Sequence, residues 1–139
     1  MADHDRYGKD VIRSAAGSSF ESSGLSFEVP LGTGMPARID GTVAGLIAVE
    51  IESRTSKQVR GAVLDLICHP FPKKLLVLLP VHMQNPGTTR LQCEYLFGRF
   101  LATQDFRVVL LLGSAFAPRP SEDTIIIARA ISELGFRGA

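Results

Sequence analysis

The chain has 139 residues, 45% hydrophobic and 21% charged, and its 15 basic and 14 acidic side chains leave a net charge of +1. That length suits one domain with a core of its own, and the balanced charge excludes a globally basic nucleic-acid binder, so any such partner must be held by a local patch. The longest apolar run, Leu75 to Val81, is far too short to cross a bilayer, and the polar opening M-A-D-H-D-R-Y-G-K-D lacks a signal-peptide pattern, so a cytoplasmic protein is expected.

Residues from about Asp5 to Ser22 read as a helix with Tyr7, Val11 and Ala15 on one side, weakened at Gly17. Leu25 to Val29 alternates as a strand does and stops at Pro30. Gly32-Thr33-Gly34-Met35-Pro36 is a loop; it precedes a strand, so it lacks the context of a phosphate loop. Two strands then flank a tight turn in R-I-D-G-T-V-A-G-L-I-A-V-E-I-E-S-R. A helix follows from about Thr55 to Cys68, its buried stripe formed by Val59, Val63, Leu66 and Ile67, and His69-Pro70-Phe71-Pro72 ends it.

Leu75 to Val81 reads as a strand buried on both faces. After the Asn85-Pro86-Gly87 turn, Thr88 or Thr89 is placed to cap a helix to about Thr103, with Cys93, Leu96, Phe97, Phe100 and Leu101 as its stripe. Phe106 to Leu112 is a second buried strand. Ser121 is placed to cap a last helix carrying Ile127, Ala130, Ile131 and Leu134, closed by Gly135. The order α-β-β-β-α-β-α-β-α gives an α/β fold with an antiparallel hairpin leading into a mostly parallel sheet and helices on both faces. Cys68 and Cys93 lack metal-type spacing and read as buried thiols; His4, His69 and His82 read as structural.

The chemistry-bearing feature is Asp40 and, after nine intervening residues, Glu50-Ile51-Glu52. Ala48, Glu50 and Glu52 share one face of their strand, and Ile47, Val49 and Ile51 the other. Asp40 joins Glu50 only if the intervening loop has an odd number of residues. A three-residue loop Val43-Ala44-Gly45 satisfies this, placing Ala48 opposite Asp40 and Glu50 on the diagonal; a two-residue turn at Ala44-Gly45 separates the acids. Carboxylates gathered on one face repel one another unless a cation sits among them, which calls for a divalent metal or an arginine.

The element order together with this acidic hairpin resembles the PD-(D/E)xK nuclease superfamily, the restriction-endonuclease-like fold. The resemblance covers a core of about residues 5–81, with 82–139 as a C-terminal extension of a single domain. It implies a three-layer sandwich around a mixed sheet and a magnesium- or manganese-dependent endonuclease acting on nucleic acid, with DNA favoured over RNA. Asp40 and Glu50 would be metal ligands, joined by the Ile51 carbonyl. Glu52 stands at the position usually held by lysine and would orient or deprotonate the attacking water. Lys57 is placed for a lysine moved onto the following helix, and Gln58 resembles a glutamine found there in recombination-type members. Arg54, Lys57, Gln58 and Arg60 would contact the nucleic-acid backbone, with Lys73 and Lys74 as further candidates. Glu21 is a candidate first-helix ligand. Since duplex cleavage needs two sites, a homodimer follows.

Two other classes compete. The Glu-x-Glu departure suits a nuclease-fold module without activity that serves in binding or assembly. A small α/β ligand-binding protein would carry these acids as ordinary surface, with Arg38 and Arg54 as partners.

Overall fold

The structure is a computed structural model that describes residues 3–22, 28–32, 34, 36–54 and 56–138, excluding the side chains of Ser56 and Lys57. Four helices, α1 (Asp3–Ala16), α2 (Ser56–Cys68), α3 (Pro86–Gly98) and α4 (Pro120–Glu133), enclose a five-stranded mixed sheet. Its strands are β1 (Phe20–Glu21), β4 (Gly41–Val43), β5 (Ile47–Glu52), β6 (Lys73–Leu78) and β7 (Phe106–Leu110), lying in that order. β1 pairs antiparallel with β4 and β4 antiparallel with β5, whereas β5, β6 and β7 are mutually parallel. A separate two-stranded sheet pairs β2 (Glu28–Val29) with β3 (Ala37–Arg38).

The alternation on β5 builds two cores. Ile47, Val49 and Ile51 join Leu75 and Val77 beneath α1 and α4, packing on Val11, Ile12, Ile127 and Ile131. Ala48 joins Leu76, Leu78 and Val108 beneath α2 and α3, packing on Val59, Val63, Leu66 and Phe97. β6 carries aliphatic side chains on both faces, which is why its sequence reads as a continuous apolar run. Three layers result, and Glu50 and Glu52 fall on the α2 side with Ala48.

The first half departs from the expected meander. Gly17 ends the first helix: its φ of +61° closes the turn after Ala16, and a short 3-10 segment leads into β1. The helix therefore stops before Ser22, and Glu21 lies in a strand opposite Thr42. The expected strand Leu25 to Val29 contributes Glu28 and Val29 to the small sheet; Leu25 to Phe27 lie outside the described residues. The strand expected around Asp40 is broken, its beginning joining β2 and its end joining β1 and β5. Ile39 accordingly buries with Val29 on the α2 side, while Val43 buries on the α1 side.

Later elements match in type and shift at their ends. β6 ends at Leu78 and β7 at Leu110, and Pro86 and Pro120 occupy the first helical positions of α3 and α4. Proline suits that position because its missing N–H has no partner there to lose. Thr88, Thr89 and Ser121 are thus inside their helices, with no side-chain cap at either start. Phe97 and Phe106 stack in the core, but Phe100 is 66% exposed. Cys93 is buried, its thiol pushed up to about 11 chiefly by burial; Cys68 is exposed, against expectation.

Candidate functional site

The hairpin loop is odd in length, but it is Ala44-Gly45-Leu46, one residue further along than Val43-Ala44-Gly45. Val43 pairs with Ile47, Thr42 with Ala48 and Gly41 with Val49. Ala44 and Gly45 both have positive φ, +56° and +64°, and the Leu46 N–H closes the turn on the Val43 carbonyl at 3.0 Å. This one-residue shift brings Asp40 directly opposite Glu50 rather than diagonal to it. The expectation that the acids meet holds; the pairing is tighter than expected.

The break in the strand gives Asp40 its geometry. Odd-numbered residues of β5 turn their main-chain groups toward β4, while Leu46 and Glu52 give their carbonyls to β6. Past Gly41 the chain leaves the sheet, so the Ile51 N–H loses the carbonyl a longer β4 would supply. The Asp40 carboxylate replaces it, Oδ2 accepting that N–H at 2.7 Å. The Asp40 N–H in turn donates to Glu50 Oε1 at 2.9 Å and to the Val49 carbonyl at 3.1 Å. Each carboxyl is fixed by the other strand's backbone.

The electrostatics divide the three acids. Burial pushes the Glu50 carboxyl up to about 9, and the neighbouring Asp40 charge and hydrogen bond add to it. Asp40 is also raised by burial, with the Ile51 N–H and the Glu50 hydrogen bond pulling it back. Burial and mutual repulsion therefore favour a proton held between the two, with Glu50 the carboxyl that keeps it. Glu52 is the opposite case. Its burial would raise it, but Arg54 holds it below its ordinary value. Nε and Nη2 of Arg54 donate to Oε1 and Oε2 at 2.6 Å each, and the Ser53 and Arg54 N–H groups add to Oε1. Two carboxyls two residues apart on one strand thus hold opposite protonation states.

The acids lie at the end of the sheet where the parallel strands finish, the usual position for ligands in open α/β sheets. Lys73 and Lys74 do not join them. The register pairs Lys73 with Ile47, Lys74 with Ala48 and Leu78 with Glu52, so the lysines stand about 16 and about 13 Å from Glu52 along the strands, at the other end of β6. Lys73 bridges to Asp105 at 2.8 Å. Lys74 is buried against the His69 carbonyl, and burial pushes its amine down to about 8. Arg54 is committed to Glu52 while its side chain remains largely exposed. Gln58 is exposed on the first turn of α2, and Arg60, one turn along, lies in the groove against α3. Lys57 sits in that first turn, its side chain outside the described residues.

α1 brings charges that sequence reasoning missed. Asp5 raises the Asp40 carboxyl and Lys9 lowers it, and Asp65 of α2 acts on Glu50. The close approach of α1 rests on Gly8, where an added Cβ would stand 2.8 Å from Ile51 Cγ2. Glycine in mid-helix beside an i,i+4 acid–lysine pair was the available signal, since glycine there weakens a helix unless something must come near. His4 and His69 are structural as expected, His4 Nδ1 accepting the Ala115 N–H and His69 Nδ1 the Phe71 N–H; His82 is exposed.

Among the described residues, no group of three or more His, Cys, Asp or Glu side chains stands close enough to hold a metal ion. Glu52 is drawn away by Arg54, so the pair Asp40 and Glu50 is what the hairpin offers, with the Ile51 carbonyl on the same side of β5. No family model matches the chain, and no match is found among curated proteins or solved structures. No helix among the described residues is long and apolar enough to cross a membrane.

Proposed function

We propose that this protein hydrolyses nucleic-acid phosphodiester bonds with a magnesium or manganese ion held by Asp40, Glu50 and the Ile51 carbonyl. The observation that carries the reading is the Asp40–Glu50 pair across the hairpin, Glu50 buried and Asp40 half-buried, each carboxyl bonded to the other strand's backbone N–H. Two buried carboxyls that cannot both ionise are stabilised by a proton or by a cation in its place, and a hard divalent ion takes carboxylate and carbonyl oxygens. Asp40, Glu50 and the Ile51 carbonyl are the groups that would hold such an ion. When bound, it would supply Lewis acidity and lower the pKa of a coordinated water.

The chain's own groups do the rest. Glu50 releases its proton as the pair loads, while Asp40 stays anchored by the Ile51 N–H. Glu52, kept ionised by Arg54, is the adjacent base able to orient or accept a proton from water. Lys9, beside Asp40, is a cation available to the developing phosphate charge. The element succession from α1 through β6, two antiparallel pairings followed by a parallel one, supports the restriction-endonuclease-like arrangement. A homodimer would supply the second site for duplex cleavage.

The Arg54–Glu52 bridge favours a second reading, an inactive nuclease-fold module, because both Glu52 oxygens are engaged. The experiment is manganese calorimetry combined with nicking of supercoiled plasmid by the wild type, Asp40→Ala and Glu50→Ala. Binding and nicking lost together in both variants supports the nuclease. Binding without cleavage of any DNA or RNA tested supports the module, and equal manganese binding by all three removes the site.

A further inference from the structure

On the α2–α3 face, away from the carboxyl pair, four large apolar side chains are more than half exposed. They are Leu64 at 58%, Leu91 at 60%, Tyr95 at 65% and Phe100 at 66%. They border two adjoining cavities of about 410 and 210 Å³ that share Arg60 and Leu96 as walls. The larger continues along Thr88, Leu91, Gln92 and Tyr95, and the smaller along Leu64, Ile67 and Phe100. This is one groove between two helices that run in the same direction, Arg60 lying toward Thr88 and Leu91 and Ile67 toward Leu96 and Phe100, and folding leaves it uncovered.

From these features we infer that the groove receives an acidic amphipathic helix from a partner protein. Leu91 to Gly98 is the second half of α3, and with Phe100 in the turn beyond it the groove is about 14 Å long, enough for apolar anchors at i, i+4 and i+7. The charge at its rim is of one sign. No acid lines either cavity among the described residues, Arg60 belongs to both, and Arg60 makes no ion pair among those residues. Arg99 adds a second cation, its Nη1 donating to the Tyr95 hydroxyl at 3.1 Å.

Two other occupants fit less well. A two-fold contact between copies of this chain would set the arginine rim against itself. A stacked nucleobase would compete for Tyr95 with the Arg99 guanidinium, which lies over the ring at 5.9 Å. The inference is independent of the carboxyl pair and of any nuclease activity.

The test is fluorescence anisotropy with a labelled 18-residue peptide of Leu, Ala and Glu, its leucines at i, i+4 and i+7, against a scrambled peptide of the same composition. The patterned peptide should bind saturably at about tens of micromolar, with binding weakened about tenfold in Tyr95→Ala and in Leu64→Ser. Arg60→Glu should weaken it further and reverse its salt dependence. Both apolar side chains are largely exposed, so circular dichroism melts should stay near those of the wild type. Equal binding of the scrambled peptide, or none up to millimolar, overturns the inference. So does self-association abolished by Leu64→Ser, or oligothymidylate binding abolished by Tyr95→Ala with the peptide inert.

Discussion

Glu50→Gln isolates the shared proton. Glutamine keeps the side-chain oxygen that accepts the Asp40 N–H and places an amide N–H where the Glu50 proton lies, so it imitates the protonated acid permanently. The wild-type carboxyl titrates near 4.5 when unfolded and is pushed up to about 9 when folded. Its contribution to stability is fully present below the unfolded value and is lost progressively as pH rises from about 4.5 to about 9. At pH 7 most of that window has been crossed, and with about 1.4 kcal/mol per unit the loss is on the order of 1–3 kcal/mol after allowing for the proton shared with Asp40. Urea unfolding of the metal-free protein from pH 5 to 9 should therefore show wild-type stability falling and Glu50→Gln holding nearly level. The two curves meet near pH 5 and the variant is higher at pH 8. Manganese should restore the wild type at pH 8 and leave the variant unchanged, with proton release on binding visible in calorimetry across buffers of different ionisation enthalpy. Parallel curves, with the variant less stable at every pH, would refute the shared proton.

Glu52→Gln should spare manganese affinity and suppress plasmid nicking, whereas Arg54→Met should remove stability present above about pH 4.5 that Glu52 otherwise loses as pH falls; pH-dependent melts separate the two effects. Asp123 is fully buried at the start of α4, where it accepts the Leu112 and Gly113 N–H groups at 2.7 and 2.9 Å and the Tyr7 hydroxyl at 2.6 Å. Burial and this bond push Tyr7 up to about 12, and Asp123→Ala should cost about 3–5 kcal/mol in urea unfolding, well above Tyr7→Phe. Gly8→Val should force α1 off Ile51, costing about 1–3 kcal/mol and lowering manganese affinity; an unchanged affinity with the stability loss intact would detach α1 from the site.

The α/β class and the alternating faces of β5 were legible because periodicity records burial directly: Ile47, Val49 and Ile51 against Ala48, Glu50 and Glu52. The β6 core strand and the buried stripe of α2 were legible for the same reason. The loop parity was not settled that way: local rules left a three-residue loop and a two-residue turn both open, and the strand register decides between them. Where Asp40 stands was not local. It depends on the chain entering β4 only at Gly41, after Ile39 has buried with Val29 beside the second small sheet. The ends of the first helix and of the β3–β4 segment were likewise set by which neighbour each residue found, Phe20 folding against Gly41 rather than extending the helix. Charge partners were the least legible, since sequence gives a charge and not its neighbour. Arg54 proved to be the partner that holds Glu52 ionised, and Lys73 and Lys74 lie at the far end of β6. Asp5 and Lys9 reach Asp40 only because Gly8 lets α1 lie against Ile51. The residue types and their faces were written in the chain. Which carboxyl keeps its proton is decided by burial and by long-range partners, and those exist only once the layers have packed.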